Sequence, residues 1–406
     1  MKKVLLVVSL LVLVLGFASA GATPEPEVSG PVTFQLWTQE GESDGGFQFV
    51  QGLADQFMAE HPDITIEVVQ KGTEDLREDF QTASLAGEPP ELLWTVNDHA
   101  GPFTAAGLIQ PVDGMYDESA FVASVVLDGH TWGVPITSGN HLMLLYNKSL
   151  VPNPPETTDE MISIAQDLTS GDTYGLAYND TEPFWLVPWL GGFNGSVFAA
   201  DGVTPTLDTP AMVNTLEFLA SLEFDYGIVP SECDYATMDT LFKEGNAAMI
   251  VNGDWSLADY RAVLGDNFGV APLPIVSATG THAMPYTAPK LFMIASGVEG
   301  DSLAAVQQFI AFAVNEQNEI DIANTLNRLP ARLSAQSAES ITSDPILVES
   351  AKALTYGTPM PAVVEMRAVW DAMKPEMSAV LSGSKTPDDA AAAMQSAAEA
   401  GIRALE

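Results

Sequence analysis

Two apolar spacings alternate along the first part of this chain, and their alternation limits the fold more than any other feature. Val32, Phe34 and Leu36 alternate with polar residues, as in a strand. Residues 50–58 then place apolar side chains at helical spacing, and both patterns repeat over residues 64–94. This repetition of strand and helix predicts an α/β fold with a mainly parallel sheet covered on both faces.

Two polar segments, Trp37–Glu40 and Thr95–His99, directly follow predicted strands. Open α/β sheets bind ligands in the crevice at the carboxyl ends of their strands. We therefore expect these two segments to lie beside a ligand site.

Apolar stripes later in the chain predict further helices. One runs from Leu303 to Ala313, with Asp301 or Ser302 as its N-terminal cap. A second consists of Met366, Trp370, Met373, Met377 and Leu381. The last helix is predicted to begin at Thr386, which is followed by a proline and two aspartates.

The first twenty residues are typical of a secretory signal. Two lysines precede an apolar run from Val4 to Leu15, and Ala18-Ser19-Ala20 offers a cleavage site between small residues. The run is shorter than the roughly 20 residues that a membrane span needs. We predict a cleavable signal peptide at 1–20 and an extended linker at 21–30, with an uncleaved anchor as the alternative.

The single cysteine, Cys233, can form no internal disulfide and lies far from the predicted cleavage site. No cysteine is therefore placed there to carry a lipid, and Cys233 is expected to be an ordinary small side chain. We predict a periplasmic or extracellular protein that is not a lipoprotein.

The composition is strongly acidic, with 54 acidic and 15 basic residues and a net charge of −39. Such a body repels nucleic acid and anionic membrane surfaces, so neither is an expected partner. An anionic ligand is disfavoured, whereas a neutral or a cationic one stays open. The length of 406 residues favours two lobes over one core, and we expect a monomer.

Tryptophans and carboxylates recur together at points far apart in the sequence. They stand in Thr181–Trp185, in Asn252-Gly253-Asp254-Trp255 and at Trp370. An indole face matches the C–H face of a sugar ring, and a carboxylate accepts hydrogen bonds from vicinal hydroxyls. The combination predicts carbohydrate binding.

Motifs for other chemistry are missing from the sequence. It has no Walker loop, no Gly-x-Ser-x-Gly elbow, no His-Glu-x-x-His and no Cys-x-x-Cys. The five histidines lack the spacing of metal ligands. We therefore expect no enzyme activity, no cofactor and no metal.

The order of several short segments resembles the family 1 extracellular solute-binding proteins of bacterial ABC importers, above all the maltose/maltodextrin-binding proteins. The segments, in family order, are Pro89–Trp94, Ala106–Ile109, Leu145–Pro155, Glu182–Trp185, Phe242–Met249, Asn252–Trp255, Met360-Pro361 and Val369-Trp370. The resemblance implies a type II periplasmic-binding-protein fold, the Venus flytrap. It also implies capture of a neutral oligosaccharide and its delivery to the transmembrane subunits of a permease.

The resemblance further implies two lobes joined by a hinge that the chain crosses three times. One lobe would take residues 31–138 and 288–330, and the other 141–286 and 331–406. The crossings are expected near Gly139-Asn140, Tyr286-Thr287 and Leu329-Pro330.

On one side of the cleft, the resemblance assigns Trp255 and Trp370 as stacking platforms and Glu182 as a hydroxyl acceptor. Phe184 and Trp185 would add aromatic wall, although the family commonly has a tyrosine where Phe184 stands. Lys374 falls where the family often has arginine, and it would reach a hydroxyl or be surface charge. Ordinary packing is the alternative for the tryptophans, and a solvated loop acid for Glu182.

On the other side, Asp98 matches a cleft aspartate and Asn97 flanks it. Glu40 roughly matches a family aspartate, and Asn140 lies about where a hinge glutamate is expected. The chain departs from the maltose binders at Thr95, where they often have tryptophan. His99 stands where they usually have arginine, and Gly41 stands where they usually have lysine.

Two other functions stay open. A glycoside hydrolase would use two acids such as Asp98 and Glu182, but it needs their carboxyl groups at a defined separation. A binder of a cationic solute such as a polyamine would suit the acidic charge. That binder would show acids without stacking aromatics, and its affinity would fall sharply with salt.

Overall fold

The computed structural model describes residues 28–405. The predicted signal peptide and most of the predicted linker lie outside the described residues. Within residues 28–405, none of the helices combines the length and apolar character that crossing a membrane requires.

The first stretch of chain builds most of one sheet. Its helices are α1 (Gly46–Glu60), α2 (Thr73–Ala86) and α3 (Ala100–Ala105). Its strands are β1 (Val32–Thr38), β2 (Ile64–Gln70), β3 (Leu92–Val96), β4 (Ile109–Gln110), β5 (Val126–Leu127), β6 (His130–Thr131) and β7 (Val134–Ser138). The predicted order of strand and helix over residues 32–94 is confirmed.

The second stretch builds the other sheet and its covering helices. The helices are α4 (Thr158–Leu168), α5 (Val187–Gly192), α6 (Pro210–Phe224), α7 (Tyr235–Lys243) and α8 (Leu257–Leu264). The strands are β8 (Leu142–Asn147), β9 (Tyr174–Tyr178), β10 (Ala247–Gly253), β11 (Phe268–Ala271), β12 (Ile275–Val276), β13 (Thr281–His282) and β14 (Tyr286–Thr287).

The remaining chain returns to the first sheet and ends on the second. The return consists of β15 (Lys290–Ala295), α9 (Gly300–Ala313), α10 (Glu316–Leu326) and β16 (Leu329–Pro330). The end consists of α11 (Glu339–Thr342), α12 (Pro345–Leu354), β17 (Thr358–Pro359), α13 (Glu365–Leu381) and α14 (Pro387–Arg403). Thr386 caps α14 as predicted, whereas α9 is preceded by Glu299, so the predicted caps Asp301 and Ser302 lie inside the helix.

The first sheet has the strand order β16-β7-β15-β3-β1-β2, with β4 beside β15. Only β2, β1 and β3 pair in parallel, and β15 runs antiparallel to β3, β4 and β7. The expectation of a mainly parallel sheet was therefore wrong for this half. β15 arrives from the second sheet without a crossover helix of its own, so it can enter from the opposite end.

The second sheet has the order β11-β8-β10-β9, with β10 parallel to β9 and antiparallel to β8. Both sheets are covered on two faces, which explains their runs of apolar residues. In β3, Leu92 and Trp94 pack into one core cluster and Leu93 into another. In β8, Leu142 and Leu144 face one cluster and Met143 the other. The two lobes thus have separate cores.

Candidate functional site

A cavity of about 600 Å³ lies between the two sheets, a volume suited to a small ligand. One wall comes from the first sheet, through the loops after β1 and β3, the start of α2 and the first residue of β15. The other comes from turns after β9 and β10, the start of α7 and one face of α13. The segments Trp37–Glu40 and Thr95–His99 contribute Gln39, Glu40, Val96, Asp98 and His99, as the strand-end rule predicted.

The wall from the second sheet is aromatic. The ring of Phe184 lies 6.2 Å from that of Trp255 and 6.5 Å from that of Trp370, measured between centroids. Trp185 lies 6.0 Å from Trp255. Phe184, Trp255 and Trp370 are only partly buried and line the cavity. Together they form a row of rings that runs from Trp255 through Phe184 to Trp370.

The local backbone explains how Trp255 reaches the cavity. β10 ends at Gly253, and a turn at Asp254–Ser256 follows before α8. A Cβ at Gly253 would lie 2.1 Å from the indole of Trp255, so only glycine lets the ring fold back over the strand end. The indole N–H then donates to the Tyr235 hydroxyl at 3.1 Å, which fixes the ring plane.

The neighbouring turn, Pro183–Trp185, follows β9. Trp185 is almost fully buried and donates to the carbonyl oxygen of Val251 at 2.7 Å. Its ring therefore packs behind the aromatic wall and presents little surface to the cavity. Glu182 lines the cavity and pairs with Lys374 at 2.5 Å. Both ends of that pair are well exposed, so its contribution to stability is small.

On the facing wall, Asp98 stands in a turn directly after β3. One of its carboxylate oxygens, Oδ1, is buried and has no hydrogen-bond partner. Burial, followed by the negative charge of Glu74, raises the pKa of Asp98 to about 6. A buried acceptor without a partner is costly, so a ligand hydroxyl that reaches this oxygen after a movement of the side chain or the lobes would be favoured.

Two departures from the maltose binders form a hydrogen-bonded chain beside Asp98. Thr95 Oγ1 donates to Gln39 at 3.1 Å and lies 2.8 Å from Nδ1 of His99. Burial lowers the pKa of His99 to about 4, so its ring is neutral at pH 7. The pair supplies a neutral polar surface in this wall.

Glu40 lies at the base of the cavity in a buried charge cluster. Its carboxylate pairs with Lys290 at 2.7 Å and with Arg328, which also pairs with Asp44 at 3.2 Å. Burial alone would raise the pKa of Glu40, but Arg328 and Lys290 lower it to about 2. Glu40 therefore has fewer acceptor positions left for a ligand than Asp98 has.

Nine of the ten residues predicted for the site line the cavity, and Asn97 does not. The side chain of Asn97 donates instead to the carbonyl oxygen of Met360 at 3.1 Å, which links the two lobes. Asn140 lines the cavity in a left-handed conformation with φ 45°, and its backbone N–H donates to Asp254 at 3.1 Å.

Several lining residues were not predicted, among them Glu74, Arg367, Tyr235 and Asp371. Glu74 follows β2 at the start of α2, so the rule that ligands lie at strand ends would have found it. No pattern in the sequence marks Arg367 or Tyr235. Among residues 28–405, no group of His, Cys, Asp and Glu side chains is arranged to hold a metal ion.

Two α/β lobes with an aromatic and polar cavity between them are the arrangement expected of a two-lobed solute-binding protein. The sequence model for bacterial extracellular solute-binding proteins matches residues 52–349. The chain belongs to this family, and the family predicted from the sequence is confirmed.

The chain is also similar to several proteins that are named for the sugars they bind or were solved with a sugar bound. It is 28% identical to the maltotriose-binding protein of Pyrococcus abyssi, over 84% of this chain and 76% of that protein. The maltose/maltodextrin-binding domain MalE of Bdellovibrio bacteriovorus, solved with maltotriose bound, superposes with a TM-score of 0.88 and 35% identity. That match covers 92% of this chain and 100% of the other. The maltotriose-binding protein of Thermus thermophilus superposes with a TM-score of 0.84 and 25% identity, over 91% and 100%.

Proposed function

We propose that this protein captures a neutral oligosaccharide of the maltodextrin class in the cavity between its lobes and delivers it to the permease of an ABC importer. The observation that carries the proposal is the row of rings from Trp255 to Trp370, opposite a wall with a free carboxylate oxygen on Asp98. The three relatives described above are named for, or solved with, maltose-type sugars, which supports the same class.

Each wall has its own part in binding. The rings of Trp255, Phe184 and Trp370 stack on the apolar faces of successive sugar units and exclude water. Asp98 accepts a hydrogen bond from a hydroxyl, and such charge-assisted bonds contribute about 1.5–3 kcal/mol each. At the rim of the cavity, Glu182 offers an acceptor and Lys374 a donor, although the two side chains also bind each other.

Capture is coupled to closure of the lobes about a hinge. The proposed lobes are residues 31–138 with 288–330, and 141–286 with 331–406, with crossings near 139–140, 286–287 and 329–330. The left-handed Asn140 lies at the first crossing. A ligand that touches both walls favours the closed form by its differential affinity. A micromolar affinity, about −8 kcal/mol, is what stacking and a few charged hydrogen bonds leave after the ordering costs.

A cationic solute is the second candidate, and the charges in the cavity argue against it. The six lining carboxylates are Glu40, Asp44, Glu74, Asp98, Glu182 and Asp371. All except Asp98 are paired with lysine or arginine. A polyamine would therefore have to displace existing ion pairs, whereas a neutral sugar leaves them in place. The same pairing leaves no free couple of acids for glycoside hydrolysis.

We also propose that residues 1–20 direct export and are then removed. The family is one of extracellular solute-binding proteins, which supports export, and relatives include a solute-binding lipoprotein of Streptococcus pneumoniae at 24% identity. The proposal of an unlipidated protein rests on the position of Cys233, which is buried in the fold. Intact-mass measurement of the exported protein tests it, because a lipid would add mass at the new N-terminus.

Titration calorimetry tests the central proposal. We expect heat and micromolar affinity with maltotriose, weaker binding of trehalose and none of spermidine. The affinity for maltotriose should stay nearly constant between low and high salt, because no net charge is bound. Binding of spermidine with strong salt dependence, and no heat with any sugar at millimolar concentration, would overturn the proposal in favour of the cationic solute.

A further inference from the structure

The row of rings ends at Trp370, and charged residues surround that end. Trp370 lies on α13, one turn after Arg367 and one turn before Lys374, so the three side chains share a helix face. Arg367 pairs with Glu74 of the opposite lobe at 2.7 Å. The pair therefore spans the cavity at the point where the aromatic wall stops.

The pair is held from both sides. Asp371, one turn along α13, pairs with Arg367 at 2.7 Å and orients its guanidinium. On the other lobe, Arg77 pairs with the same oxygen of Glu74 at 3.1 Å. Burial alone would raise the pKa of Glu74, but the nearby positive charges lower it, so the acid is ionised at neutral pH. Four charges thus form a chain from one lobe to the other.

The segment just before α13 also contacts the opposite lobe. Asn97 donates to the carbonyl oxygen of Met360, as described above. Next to it, a Cβ at Gly101 would lie 2.3 Å from the carbonyl oxygen of Ala362, so the two backbones touch through a glycine. The lobes are in direct contact here, beside the Arg367–Glu74 pair.

We propose that the Arg367–Glu74 ion pair closes the Trp370 end of the cavity and limits the length of the oligosaccharide that can bind. This inference rests on the proposed function. A short sugar lies along the ring row with one terminus against the pair. A longer chain has to break the pair to extend past Trp370, and it loses the stability of closure in doing so.

The exposure of the pair makes the limit sensitive to salt. Glu74 is 60% exposed and Arg367 34% exposed, so dissolved ions screen their attraction. A cavity closed by buried apolar packing would not respond in this way. The preference for short sugars should therefore weaken as the salt concentration rises.

Calorimetry with maltotriose and maltoheptaose tests the inference in the full chain. For the wild type we expect the heptasaccharide to bind about threefold more weakly than the trisaccharide, because an exposed ion pair contributes well under the roughly 1.4 kcal/mol that a tenfold change requires. In Arg367→Gln and in Glu74→Gln this ratio should fall toward one. The same fall is expected for the wild type in 1 M NaCl. Arg403→Gln removes an exposed pair on α14, far from the cavity lining, and should keep the wild-type ratio.

The outcomes separate the inference from the proposed function. Equal affinity of the wild type for both sugars overturns the length limit while capture of sugars stands. The same holds if both variants keep the wild-type ratio, even when both affinities fall. If neither sugar gives a heat of binding with the wild type, the proposed function itself is contradicted. Melting temperatures measured alongside show that each variant is folded.

Discussion

The Nη2 atom of Arg328 donates a hydrogen bond of 3.1 Å to the backbone carbonyl oxygen of Trp255. Arg328 stands directly before β16 of the first sheet, whereas Trp255 belongs to the second lobe. The same guanidinium pairs with Glu40 and Asp44, and its side chain is 1% exposed. A buried charge cluster thus fixes the backbone that presents the first ring of the binding row.

Arg328→Met should destabilise the protein strongly. It leaves Glu40 buried with Lys290 as its remaining ion-pair partner, and breaking a buried pair costs about 3–5 kcal/mol. Urea denaturation followed by circular dichroism measures the loss. Arg403→Gln, an exposed arginine on α14, should stay within about 0.5 kcal/mol of the wild type. A wild-type free energy of unfolding for Arg328→Met would show that the cluster contributes little.

Removal of either outer ring should weaken sugar binding. Trp255→Ala and Trp370→Ala each lose a stacking face, and we expect the affinity for maltotriose to fall by about 30-fold, roughly 2 kcal/mol. Trp255→Phe and Trp370→Phe should retain part of the wild-type affinity, because each keeps an aromatic face. Trp132 does not line the cavity, so Trp132→Phe serves as the matched control. Unchanged calorimetric affinity in both alanine variants would contradict the aromatic platform.

Sugar affinity should fall as the pH drops through about 6. The pKa of Asp98 is about 6 in the free protein. A ligand hydroxyl that donates to Asp98 favours the ionised carboxylate, so the pKa of Asp98 is lower in the complex. Binding near pH 6 therefore releases protons, and affinity rises with pH until the carboxylate is fully ionised. We expect about a tenfold change between pH 5 and 7 if the pKa moves by about one unit.

Calorimetry in two buffers of different ionisation enthalpy counts the released protons. Asp98→Asn should bind more weakly at pH 7 and show no proton release. If the wild type and this variant share one pH profile, Asp98 is not the acceptor.

The closed arrangement of the lobes should depend on the missing side chain at Gly101. In Gly101→Ala the new methyl group would collide with the carbonyl oxygen of Ala362, and overpacking of this kind costs about 1–3 kcal/mol. Maltotriose affinity should fall about tenfold or more, and the radius of gyration with saturating sugar should exceed that of the wild type. Small-angle scattering and calorimetry measure both.

A second glycine provides the control. Gly52 lies within α1 with open space around the position of a Cβ, so Gly52→Ala should raise the free energy of unfolding by about 0.5–1 kcal/mol. Its sugar affinity should match the wild type. Equal sugar affinity in both alanine variants would show that the Gly101 contact does not limit closure.

Stability should decrease from weakly acidic to weakly basic pH because of Glu319. This buried acid of α10 accepts from the backbone N–H groups of Ala331 and Arg332, just after β16, and its Oε1 has no partner. Burial raises its pKa to about 8 from an ordinary value of 4.5. Between these values the folded state holds a proton that the unfolded state lacks, so the free energy of unfolding falls as the pH rises. The slope is at most about 1.4 kcal/mol per pH unit.

Urea denaturation from pH 5 to 8.5 measures this slope. Glu319→Gln should lose most of the dependence, and Glu399→Gln, an exposed acid of α14, should retain it. Parallel curves for the wild type and Glu319→Gln would assign the effect to other groups.

Local patterns in the sequence were sufficient for the elements and for much of the site. The alternation in β1, β2 and β3 and the Thr386 cap of α14 depend on neighbours within a few residues, so the sequence reveals them directly. The cavity residues at strand ends followed from the same elements. The direction of β15 did not, because it depends on where the chain returns from the other lobe.

The sequence by itself determined two α/β lobes, an acidic surface and the residue types of a sugar site, since periodicity, charge and short family segments are properties of the linear chain. Only the tertiary structure decided which carboxylates are free. Arg367 and Glu74 are 293 positions apart, and Arg328 and Glu40 are 288 apart. An acid looks the same in sequence whether a cation reaches it or not, and only the folded arrangement leaves Asp98, among the carboxylates that line the cavity, without a lysine or arginine partner.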